Sequence, residues 1–252
     1  MFNKKIVPVV AIMMLLAAAV AVGASQSRTV SIPPGELVES PNARVNSNVP
    51  RPSVPDAPAL SAASMHMAFS DDFGKGSLDG WQTVESAPGK WVARDGRLVQ
   101  GGNTDGDAAD EDALFVAKDV VFTDGVLEAA IYPTSGSSVG LAFRGTAAGY
   151  YRVVLSRKNA TEAAKVVLQK VTTDGVKEVA SAPVAAWAGF NSGEWQAVSV
   201  NAQGSQIVIA INGTTVIEAS DSTYAAGWAG IYSWADMGSQ VDNVRIQQVA
   251  GR

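Results

Sequence analysis

Gln206-Ile207-Val208-Ile209-Ala210-Ile211, followed directly by Asn212-Gly213, decides how the chain is read. Its apolar residues alternate at period two, which is the signature of a strand whose side chains point to opposite faces. Asn-Gly then supplies two residues that tolerate positive backbone angles, as a tight hairpin turn requires.

The same grammar extends outward. Val166-Val167-Leu168-Gln169-Lys170-Val171 and Val198-Ser199-Val200 are further strand segments, and Asp95-Gly96, Asp124-Gly125 and Asp174-Gly175 are further hairpin turns. This spacing predicts roughly a dozen strands. Only Asn159 to Lys165 suggests a short turn or helix, and no period typical of a propeller or solenoid recurs. Antiparallel strands without crossover helices bury their apolar faces as two packed sheets. The expected fold is all-β, a two-sheet antiparallel jelly-roll sandwich.

Upstream, the pattern changes. Lys4 and Lys5 precede an apolar run from Ile6 to Val22, and Val22-Gly23-Ala24 precedes Ser25. This is the layout of an export signal, residues 1–24, with cleavage expected after Ala24. An uncleaved membrane tether through residues 6–22 is the alternative. Residues 25–64 are rich in Pro, Ser, Asn and Val and carry no aromatic residue, so they read as a Pro-rich disordered linker. Of the 18 aromatic residues all but Phe2 follow residue 64, which puts the folded domain at 65–249. The expected location is secreted or associated with the cell envelope.

Composition narrows the chemistry. With no Cys and one His, disulfides, thiolate metal sites and multi-His zinc sites are excluded. Residues after 64 carry 14 basic against 21 acidic side chains, which argues against a nucleic-acid partner.

Phe69-Ser70-Asp71-Asp72-Phe73, Ser77-Leu78-Asp79-Gly80-Trp81 and Trp91-Val92-Ala93-Arg94-Asp95-Gly96-Arg97-Leu98 resemble the opening of concanavalin A-like lectin/glucanase domains. Within these, the chain looks most like the family named for 3-keto-disaccharide hydrolases. The likeness continues through Val139 to Arg144, Gly149-Tyr150-Tyr151-Arg152 and Gly193 to Val198. It ends with Ile211-Asn212-Gly213, Ala229-Gly230-Ile231-Tyr232 and Val241-Asp242-Asn243-Val244, where it is also similar to laminin-G-like domains. The resemblance implies a sandwich fold, which hosts lectins, hydrolases and adhesion domains alike.

Catalytic patterns of that superfamily are incomplete here. The Glu-x-Asp-x-x-Glu strand of retaining glucanases, which sets two carboxylates on one sheet face, has no counterpart, because no Glu-x-Asp occurs in the chain. The polar residues that the hydrolase resemblance implies after the Gly-Tyr pair are Tyr151 and Val153, and its late Gln and His are Ser233 and Trp234. His66 stands beside the linker, a poor position for a preorganised base.

Recognition of an oligosaccharide or polysaccharide is the remaining chemistry, with aromatic rings stacking on sugar faces and polar side chains bonding to hydroxyls. Alternation groups Gly140, Ala142 and Arg144 on one strand face as a groove, opposite Leu141 and Phe143. It also groups Tyr150, Arg152 and Val154 against Tyr151, Val153 and Leu155, and the sequence leaves open which set faces the groove. Trp187, Phe190, Trp228, Tyr232, Trp234 and Asp236 form a second group, whereas Trp91, Trp195 and Trp228 suit sheet packing. The candidate carbohydrate contacts are Arg144, Tyr151, Trp187 and Trp234, with no catalytic residue assigned. An enzyme acting on 3-keto-glycosides and a structural or adhesion domain are the rival classes.

A structural calcium is expected where the first and last strands meet, with Asp71, Asp72 and Asp242 as ligands and Asn243 nearby. Asn103 to Asp112 is more visibly acidic, but Ala108 and Leu114 depart from a calcium-loop pattern, so it reads as a solvated loop. Two sequons, at Asn159 and Asn212, matter only in a eukaryotic secretory pathway.

Overall fold

The structure, a computed structural model, describes residues 64–84, 90–101, 112–134, 138–156, 164–183, 194–234 and 238–250. The expected export signal, nearly all of the linker and residues 159–163 of the turn or helix expected over Asn159 to Lys165 lie outside these residues, as do Trp187, Phe190 and Asp236, while Lys165 itself is in a strand.

Fifteen strands are present among them: β1 (Met65–Asp71), β2 (Trp81–Thr83), β3 (Trp91–Arg94), β4 (Arg97–Gln100), β5 (Asp112–Ala117), β6 (Gly125–Tyr132), β7 (Ser138–Thr146) and β8 (Gly149–Ser156), then β9 (Lys165–Thr172), β10 (Gly175–Pro183), β11 (Gln196–Gln203), β12 (Gln206–Ile211), β13 (Thr214–Ser220), β14 (Trp228–Trp234) and β15 (Gln240–Val249). The dozen expected from periodicity falls short because β2, β3 and β4 span only three or four residues each, too few to show alternation.

All pairings are antiparallel and build two sheets. One has eight strands in the order β13-β12-β11-β6-β15-β4-β3, with β1 also on β15; the other has seven, β10-β9-β8-β7-β14-β5-β2. Strands distant in sequence are neighbours at each centre, β6 beside β15 and β7 beside β14, as a jelly-roll sandwich requires.

Alternation sets the core. Leu127, Ala129 and Ile131 of β6, Val198 and Val200 of β11, and Ile207, Ile209 and Ile211 of β12 face Leu141 and Phe143 of β7, Val153 and Leu155 of β8, and Ile231 of β14 in one apolar cluster. Three rings extend it at one end: Trp81 stacks on Phe115 at 5.1 Å, and Trp91 on Phe115 at 5.6 Å. Each buried aliphatic side chain contributes about 1.5–3 kcal/mol.

Asn212 and Gly213 take φ of 50° and 78°, and Asp95 and Gly96 take 52° and 67°, the positive pair that a two-residue hairpin demands. Asp124-Gly125 does something else. It leads into β6 from β5 of the opposite sheet, so it is an inter-sheet connection, not a hairpin turn. Gly125 is needed for space, since a Cβ there would stand 2.1 Å from the Gln247 carbonyl oxygen.

The tryptophans expected to pack on the sheets do so at different places. Trp91 packs against the main core, but Trp195 lies against Tyr132 and under Arg97, and Trp228 joins a separate cluster on the far side of the seven-stranded sheet. Trp228, at the start of β14, shares its parity with Gly230, Tyr232 and Trp234, whereas Trp195 precedes β11 and lies outside the strands.

Candidate functional site

The separate cluster lies on the outer face of the seven-stranded sheet. Leu114, Ala142, Tyr150, Val154 and Tyr232 form it, with Val84, Val171, Trp228 and Trp234 packed at its margins. The pairings Leu114 with Tyr232, Tyr232 with Gly140, and Gly140 with Val154 show how β5, β14, β7 and β8 bring these residues into one row.

Polar groups converge at the same place. Asp112, at the start of β5, accepts hydrogen bonds from the Tyr150 hydroxyl at 2.7 Å, from Arg152 Nη1 at 2.5 Å and from the Tyr232 hydroxyl at 3.1 Å. Arg152 also donates from Nε to Gln169 Oε1 at 2.8 Å, and its guanidinium carbon sits 4.3 Å from the centre of the Tyr232 ring. Tyr150 leans on Trp228, ring centroids 5.2 Å apart.

This convergence reports the shape of the face. Asp112 is on β5 and Arg152 on β8, with β14 and β7 between them. Three strand spacings amount to about 14 Å, more than the two side chains reach across a flat sheet. The face therefore curves inward. Gly140 and Ala142 on β7 and Gly230 on β14 keep the floor low enough for the long side chains to cross it. Gly145 does the same for Trp228, whose indole would lie 2.0 Å from any Cβ at that position.

Electrostatically the cluster is a satisfied pair with protonated phenols. Burial works to lower the pKa of Arg152, but the phenols of Tyr232 and Tyr150 and the Asp112 carboxylate outweigh it and hold the guanidinium above its usual value. Burial, reinforced by Asp112, pushes both Tyr150 and Tyr232 well above the ordinary phenol range. Both stay protonated and act as donors, not as bases.

The residues predicted from sequence divide. Trp234 closes β14, paired in register with Asp112, and stands half-buried at the margin of the cluster. Tyr151 faces the other way. It is fully buried in the core, stacked on Phe143 at 5.3 Å, with its hydroxyl on Asp221 and the Tyr224 amide.

Arg144 is fully buried too, and not in an open groove. A bulge between Phe143 and Thr146, with Arg144 at φ 51°, turns its side chain out of the alternation that includes Gly140 and Ala142. It donates to the carbonyls of Thr123 at 2.9 Å, Gly204 at 2.7 Å and Tyr224 at 3.3 Å, and pairs with Asp124 at 3.0 Å. Arg144 thus pins three loops at one end of the sandwich. Trp187 lies outside the described residues.

Sequence reasoning missed Asp112, Tyr150, Arg152 and Gln169 as site members. The signal for Tyr150 and Arg152 was present as the alternative face of β8. Asp112 was hidden at the end of an acidic run read as solvated.

Asp71, Asp72 and Asn243, expected beside a calcium ion, line one cavity where β1 meets β15, whereas Asp242 is not in its lining. Asp71 and β15 are adjacent, since Asp71 pairs with Val244. Yet Asp71 accepts from the Phe73 amide at 2.7 Å and the Trp81 indole at 2.8 Å, Asp72 accepts from the Gly74 amide, and Asp242 accepts from the Asn243 amide. Among the described residues no three His, Asp or Glu side chains converge to hold a metal ion. His66 lies exposed on β1 in the eight-stranded sheet, away from the Arg152 cluster.

Comparison with known proteins agrees with this architecture. A family model described as a 3-keto-alpha-glucoside-1,2-lyase-like domain matches residues 68–247. No curated protein matches the chain. Among solved structures, a Bacillus subtilis protein of unknown function with a galectin-like fold is similar at 16% identity and TM-score 0.57, over 74% of this chain and 97% of its own. SCLam, a non-specific endo-beta-1,3(4)-glucanase of family GH16, is similar at 11% identity and TM-score 0.55, over 77% and 95%. LamA of Zobellia galactanivorans, solved with laminaritriose and laminaritetraose, is similar at 14% identity and TM-score 0.52, over 72% and 98%. At these identities the likeness is one of fold.

Proposed function

The chain belongs to the 3-keto-alpha-glucoside-1,2-lyase-like domain family, and from that premise we propose that it binds a glycan on the outer face of the seven-stranded sheet, without catalysis. The observation that carries this reading is the Asp112–Arg152 pair, braced by Tyr150 and Tyr232 and flanked by Trp228 and Trp234. A sheet face with no ligand to meet is ordinarily solvated. Here a carboxylate–guanidinium pair braced by two phenols fixes the shape of the face beside two partly exposed indoles, rings that suit the apolar faces of sugars. LamA, a sandwich of similar fold, was solved with laminaritriose and laminaritetraose, which supports this reading.

Absence of catalysis is supported by the same geometry. Asp112 already accepts from three protein donors, and the neighbouring phenols are held protonated. The paired carboxylates of glucanases are missing from the sequence. The apolar run after Lys4 and Lys5 supports export to the cell envelope or beyond.

Family membership favours one rival. A 1,2-elimination beside a 3-keto group needs a base for the C2 proton, and Asp112 is the carboxylate of this cluster.

Titration of the purified protein against a broad glycan panel tests the proposal, followed by incubation with 3-keto-glucosides. We expect saturable binding that Trp234→Ala weakens about tenfold, and no turnover. Consumption of a 3-keto-glucoside, lost in Asp112→Asn, would replace binding by the lyase reading. No binding and no turnover would leave a structural role.

A further inference from the structure

A half-open cavity of about 790 Å³ lies at the edge of the eight-stranded sheet, between β1, the loop 72–80 and β15. It shares no residue with the face built around Arg152.

Its walls are held in place. The Asp71 carboxylate takes the Phe73 amide on one oxygen and the Trp81 indole N–H on the other, so one side chain clamps both ends of the loop. Inside the loop the Gly76 amide donates to the Phe73 carbonyl at 3.1 Å and the Trp81 amide to the Leu78 carbonyl at 2.9 Å. Buried Phe73 stacks on Trp81 with centroids 5.7 Å apart. On the opposite wall the register of β15 breaks between Asp242 and Arg245, and Asn243 takes φ 52° where it lines the cavity.

These walls present polar groups that the fold does not use. The Lys75 ammonium, the Asp79 carboxylate and the Asn243 side-chain amide make no hydrogen bond or ion pair among the described residues. Asp71, Asp72 and Asp79 disfavour an anion, while Lys75 in the same lining disfavours a cation, Arg245 being taken up by Glu128 at 3.1 Å. Hydroxyl groups suit all of them, because each hydroxyl both donates and accepts. Phe69, fixed edge-on to Trp81 at 5.0 Å, adds an apolar surface for the C–H face of a ring. The volume falls within the range of small-molecule sites.

We propose that this cavity is a second binding site, for a small uncharged polyhydroxylated molecule of one or two sugar units. It is independent of the sheet-face site, and a ligand meets walls already ordered, so little is lost in fixing them.

Amide and indole NMR of the full chain, titrated with glucose, trehalose, glucosamine and glucuronate, tests it. The Trp81 indole signal and the amides of residues 72–80 and 243–245 are expected to shift saturably with glucose or trehalose. Asp79→Ala, an exposed loop change that spares the core, weakens this response about tenfold. Trp234→Ala leaves it intact. Asn243→Gly, which relieves the positive φ while removing the amide, weakens it in a folded protein. No shift with any probe up to about 50 mM, on the weak side of millimolar affinity, overturns the proposal. So does a stronger response to glucosamine or glucuronate than to the neutral sugars, or an unchanged affinity in Asp79→Ala.

Discussion

The guanidinium of Arg152 lies over the ring of Tyr232, 4.3 Å from its centre, while both side chains bond to the same carboxylate, that of Asp112. A cation, a π face and an anion are thus stacked on the outside of a sheet, where nothing in the core requires them.

Removing the cation tests how much this costs. Arg152→Ala leaves Asp112 with two phenol donors and strips the cover from Tyr232. Because the Asp112 side chain is 25% exposed, the pair is partly screened, and a loss of about 1–3 kcal/mol is expected. Urea denaturation measures it, and a double-mutant cycle with Asp112→Ala separates the pair from the stacking.

Arg144 behaves differently. Arg144→Met keeps the bulk but abandons three carbonyls and the Asp124 carboxylate, at about 2–4 kcal/mol. Glycan affinity of the folded variant is expected to match the parent, since the side chain has no exposed surface. A loss of affinity at unchanged stability would return Arg144 to the binding site.

Gly145→Ala drives a methyl into the Trp228 indole. Trp228 swings off Tyr150, so a red-shifted tryptophan emission and a stability loss of about 1–3 kcal/mol are expected, with weaker glycan binding. Unchanged emission would show that the indole is not seated as described.

Acid stability depends on Asp221. Burial works to raise its pKa, but hydrogen bonds from Lys170, Thr223 and Tyr151 outweigh it and hold the carboxylate well below its usual range. A folded pKa below the unfolded value, about 3.9, means that this contribution is complete above about pH 5 and fades as pH falls through and beneath that range. Melting followed between pH 7 and acid should slope less in Asp221→Asn than in the parent; parallel slopes would assign acid sensitivity elsewhere.

At alkaline pH the phenols report the same burial. Tyr150, Tyr151 and Tyr232 are all shifted upward, so three of the five tyrosines should resist ionisation until the protein unfolds. Absorbance at the phenolate band against pH counts them, and five ordinary titrations would contradict the buried cluster.

Particular residues show what was legible. Ile207, Ile209 and Ile211 announced a strand and Asn212-Gly213 its turn, because alternation and positive φ are local properties. Tyr150 and Tyr151 announced that one faces in and one faces out, but not which. Asp124-Gly125 looked like a hairpin because the dipeptide is the same whether the next strand joins its own sheet or the opposite one.

The sequence by itself determined an all-β chain, its strand periodicity, its core alternation and its family, all carried by neighbours along the backbone. Only the tertiary structure decided that Tyr150 and Arg152 meet Asp112 across two intervening strands, and that Arg144 leaves the groove to pin Thr123, Gly204 and Tyr224. The physical reason is that strand order, inward curvature and a one-residue bulge are set by which distant segments pair. A shift of one residue exchanges the two faces of a strand, and no local pattern records that choice.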